Sequence, residues 1–105
     1  MSKDQTKPGY CKPEDVVSPK TRWQLVDVLY DGGEGNWAAA LGIWDKDICL
    51  ALRWNGTGEG GIGTPSSRGY PSWFIVPMPL NQAILQYEEI SQEKRAKAKT
   101  LLNLK

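Results

Sequence analysis

The sequence predicts an α+β fold: a twisted antiparallel sheet of four to five strands with one C-terminal helix packed on it. A partly closed SH3-like barrel is the more curved version of the same sheet. Three observations carry this. Short apolar runs lie between residues 22 and 54, brief polar reversals separate them, and from residue 80 the apolar period becomes helical. Short turns join neighbouring strands antiparallel, because a parallel pair needs a long crossover. With 105 residues the chain has room for one core, and 40% apolar with 24% charged residues is ordinary globular composition.

Residues 1–20 hold three prolines and seven charges with no apolar period, which predicts a flexible leader before a single domain over residues 21–105. The first strand is expected at 22–30, with Trp23, Leu25 and Leu29 on one side and Val26, Val28 and Tyr30 on the other. A glycine-rich reversal over 31–36 leads to a strand at 37–44, and Asp45-Lys46 leads to one at 48–54. Taken as a two-residue loop, Asp45-Lys46 fixes the register. Ile43 then faces Ile48, Leu41 faces Leu50, Ala39 faces Leu52 and Trp37 faces Trp54, all on one bulky face. The other face pairs Gly42 with Cys49, Ala40 with Ala51 and Ala38 with Arg53, and is nearly bare. A helix is expected to cover this small-residue face.

Residues 55–72 read as a long glycine- and proline-rich loop, and loops of that length are usually functional or mobile. A fourth strand is expected at 73–78, with Pro77 marking its edge. The stripe of Leu80, Ala83, Ile84, Tyr87 and Ile90 predicts a helix over 80–102, polar nearly all round beyond Glu93.

Formal charge is +1 overall, with the body over residues 21–78 slightly acidic and the basic excess near the end. That distribution does not suit tight duplex binding, which takes many Lys and Arg contacts. There is no histidine, which removes the commonest general base and metal ligand. Cys11 and Cys49 form neither a disulfide framework nor a zinc site, so no metal and no cofactor are expected. No apolar run is long enough to span a bilayer, and the first twenty residues lack a signal-peptide centre. A cytoplasmic protein without a membrane partner is expected.

Gly58-Glu59-Gly60-Gly61-Ile62-Gly63 spells the dinucleotide-binding string, but Thr64-Pro65 follows where a helix must open to receive a pyrophosphate. The match is accidental. A hydrolytic nucleophile lacks a histidine base, and the carboxylates Asp27, Asp31, Asp45 and Asp47 fall near strand ends. An enzyme is therefore not expected, although a carboxylate or Arg68 leaves a small one conceivable.

The remaining signal is aromatic and cationic. Arg53, Asn55, Ser67, Arg68, Tyr70 and Trp73 flank the long loop, and its two ends are expected to meet at the sheet. Arginines would contact an anionic or carbonyl-bearing ligand, Asn55 and Ser67 would hydrogen-bond it, and Tyr70 and Trp73 would stack on it. The expected ligand is a peptide, an anionic ligand or single-stranded nucleic acid. The competing structural reading has the tryptophans filling the core and Arg68 tying the loop down.

The string Arg53-Trp54-Asn55-Gly56, then Ser67-Arg68-Gly69, Pro71, Trp73-Phe74 and Pro77, resembles uncharacterised small proteins of mobile genetic elements such as integron gene cassettes and plasmids. The similarity covers roughly residues 21–85 and implies a bacterial, cytoplasmic accessory protein, with no activity or catalytic residue to transfer. Two function classes follow from the residues. One is a non-enzymatic binding module. The other is a homodimer or adaptor acting through a sheet edge or through Leu101, Leu102 and Leu104.

Overall fold

Asp45 and Lys46 set the geometry of the sheet. In the computed structural model, which describes residues 11–58 and 61–104, both have positive φ, 49° and 78°. This is the backbone of a two-residue hairpin turn whose twist matches that of its strands. β2 (Trp37–Trp44) and β3 (Asp47–Trp54) are thereby paired as the loop length predicts, from Trp37 opposite Trp54 to Ile43 opposite Ile48. Lys46→Gly should raise stability by about 0.5–1 kcal/mol, because glycine adopts this φ without a Cβ penalty. A higher midpoint in urea denaturation is the expected reading.

β1 (Trp23–Asp31) pairs antiparallel with β2, but its register shifts between Leu25 and Asp27 and again between Val28 and Tyr30. Each bulge adds a residue and flips the alternation. Leu29 therefore packs with Val26 and Tyr30, whereas simple alternation grouped it with Trp23 and Leu25. The expected strand at 73–78 is shorter than its sequence suggests. Residues 66–67 and 70–71 form a small separate hairpin, β4 (Ser66–Ser67) and β5 (Tyr70–Pro71), and β6 (Phe74–Ile75) completes the main sheet. Its order is β1-β2-β3-β6. The fold is α+β and the sheet stays open; no barrel closes.

The helical region differs from one continuous helix over 80–102. After a 3₁₀ turn at Met78–Leu80, α1 (Asn81–Leu85) ends early and α2 (Gln92–Leu101) restarts. Ser91, in extended backbone, starts the second helix: its Oγ accepts from the Lys94 N–H at 3.2 Å and caps α2. Arg95 then reaches back and donates to the carbonyls of Leu85, Tyr87 and Ile90, which the break would otherwise leave open.

The helices lie on the face opposite to the one expected. Leu85, Ile90, Ala98 and Leu102 pack on Leu29, Ala39, Leu41, Leu50 and Val76, the bulky face. Trp23, Trp73 and Val16 cover the small-residue face of Ala38, Ala40, Cys49 and Ala51 instead. Residues 1–10 of the expected leader lie outside the described residues. Residues 11–20 are part of the fold: Pro13 and Val16 are buried, Pro13–Asp15 is a 3₁₀ turn, and the Cys11 N–H donates to the Asn55 carbonyl at 2.9 Å. Alanine and glycine on that face let two tryptophan rings, with centroids 5.9 Å apart and planes tilted by 32°, pack close to the strands.

Candidate binding groove

The six residues expected around a loop mouth separate into two groups. Arg53 alternates onto the small-residue face, opposite Ala38, and is 2% exposed. Its guanidinium donates to the carbonyls of Ile62, Ser72 and Pro65. Burial lowers its pKa from the ordinary arginine value, and the nearby Cys11 side chain offsets part of that. For Cys11 itself burial is the larger influence and raises the thiol, against the lowering effect of the Arg53 charge. Asn55 is fully buried, donating from Nδ2 to Asp31 Oδ1 and to the Gly33 carbonyl, both at 2.9 Å. Trp73 is buried, and its indole N–H donates to the Val16 carbonyl at 2.8 Å.

These three side chains hold the fold together: Asn55 and Trp73 present no surface to a ligand, and Arg53, although it borders the groove on the bulky face, is tied to the loop. Ser67, Arg68 and Tyr70 are exposed on the β4–β5 hairpin, where Arg68 and Gly69 form its two-residue turn with φ of 53° and 82°. The expected convergence of all six on one mouth is therefore corrected. Arg53 ties down the loop, a role sequence reasoning had weighed for Arg68.

The open site lies on the bulky face. Register places Tyr30, Ala39, Leu52 and Phe74 in one row across the sheet, and Trp37 beside Trp54 in the next. A groove of about 560 Å³ runs between these rows, lined by Trp37, Leu52, Trp54, Phe74, Thr64 and Pro65, with Arg53 contributing from the strand. Trp54 is 56% and Phe74 55% exposed. Tyr30, Trp37 and Tyr87 wall it off from the helices, with ring centroids 4.7–5.0 Å apart. A hydrogen bond between Tyr87 and Tyr30 closes that wall and raises the Tyr87 pKa.

No family model matches this chain, nor does any curated protein or solved structure. The chemistry of the groove is accordingly read from its own side chains. Among the described residues its lining is aromatic and aliphatic apart from Thr64, and the one charged member, Arg53, is committed to loop carbonyls. Among the described residues no group of three His, Cys, Asp or Glu side chains is placed to hold a metal ion, and no helix is long and apolar enough to cross a membrane. Of the groove's lining only Arg53 was among the six expected site residues; Trp54, Phe74 and the groove role of Trp37 were missed from sequence. The available signal was the bulky face itself, whose rows extend past what a short C-terminal helical segment can cover.

The glycine string also has a local explanation. Gly63 has φ of +69°, and a Cβ there would collide with the Trp54 carbonyl and lie 2.7 Å from the Arg53 guanidinium. Thr64 then pairs with Trp54, and no helix opens at that point. The glycine serves the packing of loop on strand, not the approach of a phosphate.

Proposed function

We propose that this chain is a non-enzymatic binding module whose groove takes an extended, uncharged peptide segment rich in proline or aliphatic side chains. The observation that carries this reading is the pair of aromatic rings, Trp54 and Phe74, held more than half exposed beside Trp37 and Pro65. Aromatic-lined grooves recognise extended proline-containing segments because such segments are already ordered and offer ring faces and backbone carbonyls. An anionic or single-stranded nucleic-acid ligand fits less well. Such ligands need free cations beside the stacking faces, and the one cation among the groove's described residues is internally bound.

The test is an amide-and-indole NMR titration with a capped ten-residue peptide of proline and leucine, run beside a ten-nucleotide thymidine oligomer. The indole signals of Trp54 and Trp37 should move with the peptide, while those of Trp23 and Trp73 stay in place. Movement with the oligomer alone, weakening with salt, would replace this reading by nucleic-acid binding. Trp54→Ala should weaken peptide binding by about 30-fold or more, the scale of an interface hot spot. Its stability should change by less than about 1 kcal/mol, since the ring is exposed and loses mainly a cross-strand contact.

A further inference from the structure

The two edges of the sheet are treated differently. β1 carries two bulges, and the Lys94 ammonium donates to the Val28 carbonyl and sits 3.3 Å from Asp27 Oδ1. Lys97 adds a second charge, 3.7 Å from the same carboxylate. Bulges and lysines are the standard means of preventing strand addition. β6 at the opposite edge has neither. The Val76 N–H donates inward to the Leu50 carbonyl at 2.9 Å. Antiparallel alternation therefore points the N–H and C=O of Ile75 away from β3.

The surroundings of this edge suit a copy of themselves. Residues 69–87 contain no Asp, Glu, Lys or Arg, in a chain that is 24% charged. In a two-fold contact each residue near the axis meets its own counterpart, so any charge there would repel itself. Exposed apolar side chains are concentrated here as well: beyond Trp54 and Phe74, Met78 is 59% and Leu80 51% exposed.

We propose that β6 is the contact between two copies of this chain, paired antiparallel about Ile75, with the groove of each receiving Pro77 and the apolar 3₁₀ turn Met78–Leu80 of the other, a proline-rich segment already held in place by its own backbone hydrogen bond. The proposal rests on the groove being a peptide-binding surface and names its occupant. In that register Ile75 faces its counterpart, Phe74 faces the second copy's Val76, and the second copy's Met78 arrives beside Ser72. Ser72 is hydrogen-bonded to Pro65 on the groove wall. Pairing stops there, because Pro77 has no N–H to donate. Two backbone hydrogen bonds form, and side chains supply the rest.

The area bears on the strength. A whole aromatic side chain offers roughly 150–250 Å², so half-exposed Trp54 and Phe74, with the somewhat smaller Met78 and Leu80, contribute at most on the order of 400 Å² per copy. The pair thus buries on the order of 800 Å² before its rim is counted, below the roughly 1,200 Å² of stable specific interfaces and in the range of weak, transient ones. An area this small fits a weak dimer, expected to dissociate with a constant on the order of 100 µM, although area alone does not set affinity.

Sedimentation equilibrium from about 10 µM to about 1 mM brackets that value. The expected mass rises from 11.7 kDa towards twice that. Phe74→Asp, which puts like charges near the axis, should weaken the dimer at least ~10-fold. Its dispersed amide spectrum would show that it still folds. Dilution of the unaltered protein should move the Ile75 amide and the Trp54 indole and leave Trp23 and Trp73 in place. A mass fixed at the monomer value overturns the proposal, and so does a dimer that Phe74→Asp leaves intact. If the protein is monomeric but the proline–leucine peptide still moves Trp54, the peptide-binding reading survives alone. If neither association occurs, both fail.

Discussion

Arg53→Met is expected to lower the unfolding free energy by about 3 kcal/mol, the cost of leaving buried acceptors without a charged donor. Methionine keeps the aliphatic stem against the sheet and removes the guanidinium. The carbonyls of Ile62, Pro65 and Ser72 then lose the one group that gathers them. Those carbonyls come from both halves of the loop, so the loss frees it as a unit rather than at one point. Lysine is a poor replacement because a single ammonium cannot span the fork. Urea denaturation measures the effect: at a slope of ~1–1.5 kcal/mol/M the midpoint should fall by about 2–3 M. An unchanged midpoint would mean that water satisfies the carbonyls and Arg53 is no tie. Arg68→Ala, by contrast, removes an exposed hairpin side chain and should leave the midpoint nearly unchanged.

This contrast also shows what the sequence makes legible. Register between β2 and β3 is readable because a two-residue turn leaves no freedom in the pairing, and the inward alternation of Arg53 follows from it. The destination of the guanidinium is not readable, since its partners are backbone carbonyls, which every residue possesses. The order of β1 fails for a related reason. Its two bulges depend on how the strand curves around the core, and no residue type in Leu25-Val26-Asp27-Val28-Leu29 marks them.

The helix break was signalled by Ser91, a residue suited to capping, but the apolar stripe on either side favours continuity. The burial of residues 11–20 is the least visible feature. Pro13 and Val16 are buried singly, without any period, and Val16 packs with tryptophans whose own placement must be known first. The candidate groove inherits these limits. Its aromatic residues are evident in the sequence, but which of them remain uncovered depends on how far the broken helices extend over the bulky face.

Trp23 and Gly42 illustrate how closely that small-residue face is matched to its cover, and Gly42→Ala is the second large effect. A Cβ at Gly42 would fall 2.6 Å from Trp23 Cζ2 and nearer still to its Cη2. In a strand interior alanine is otherwise preferred over glycine by roughly 0.5–1 kcal/mol, so propensity alone predicts a gain. Overpacking of a filled core costs about 1–3 kcal/mol and occasionally more. Here the obstructing group is a rigid ring packed against Trp73, and it cannot yield without moving its neighbour. The net expectation is a loss of about 2 kcal/mol, lowering Tm by roughly 10 °C in a domain of this size. Trp23→Phe alone should also destabilise, because a smaller ring leaves space over the strands. In the double variant the added methyl occupies part of that space, so the two losses should sum to more than the double variant shows. A coupling above about 1 kcal/mol in this cycle is the expected result. Simple additivity would mean that the glycine is not there to admit the ring, and that something else keeps this face bare.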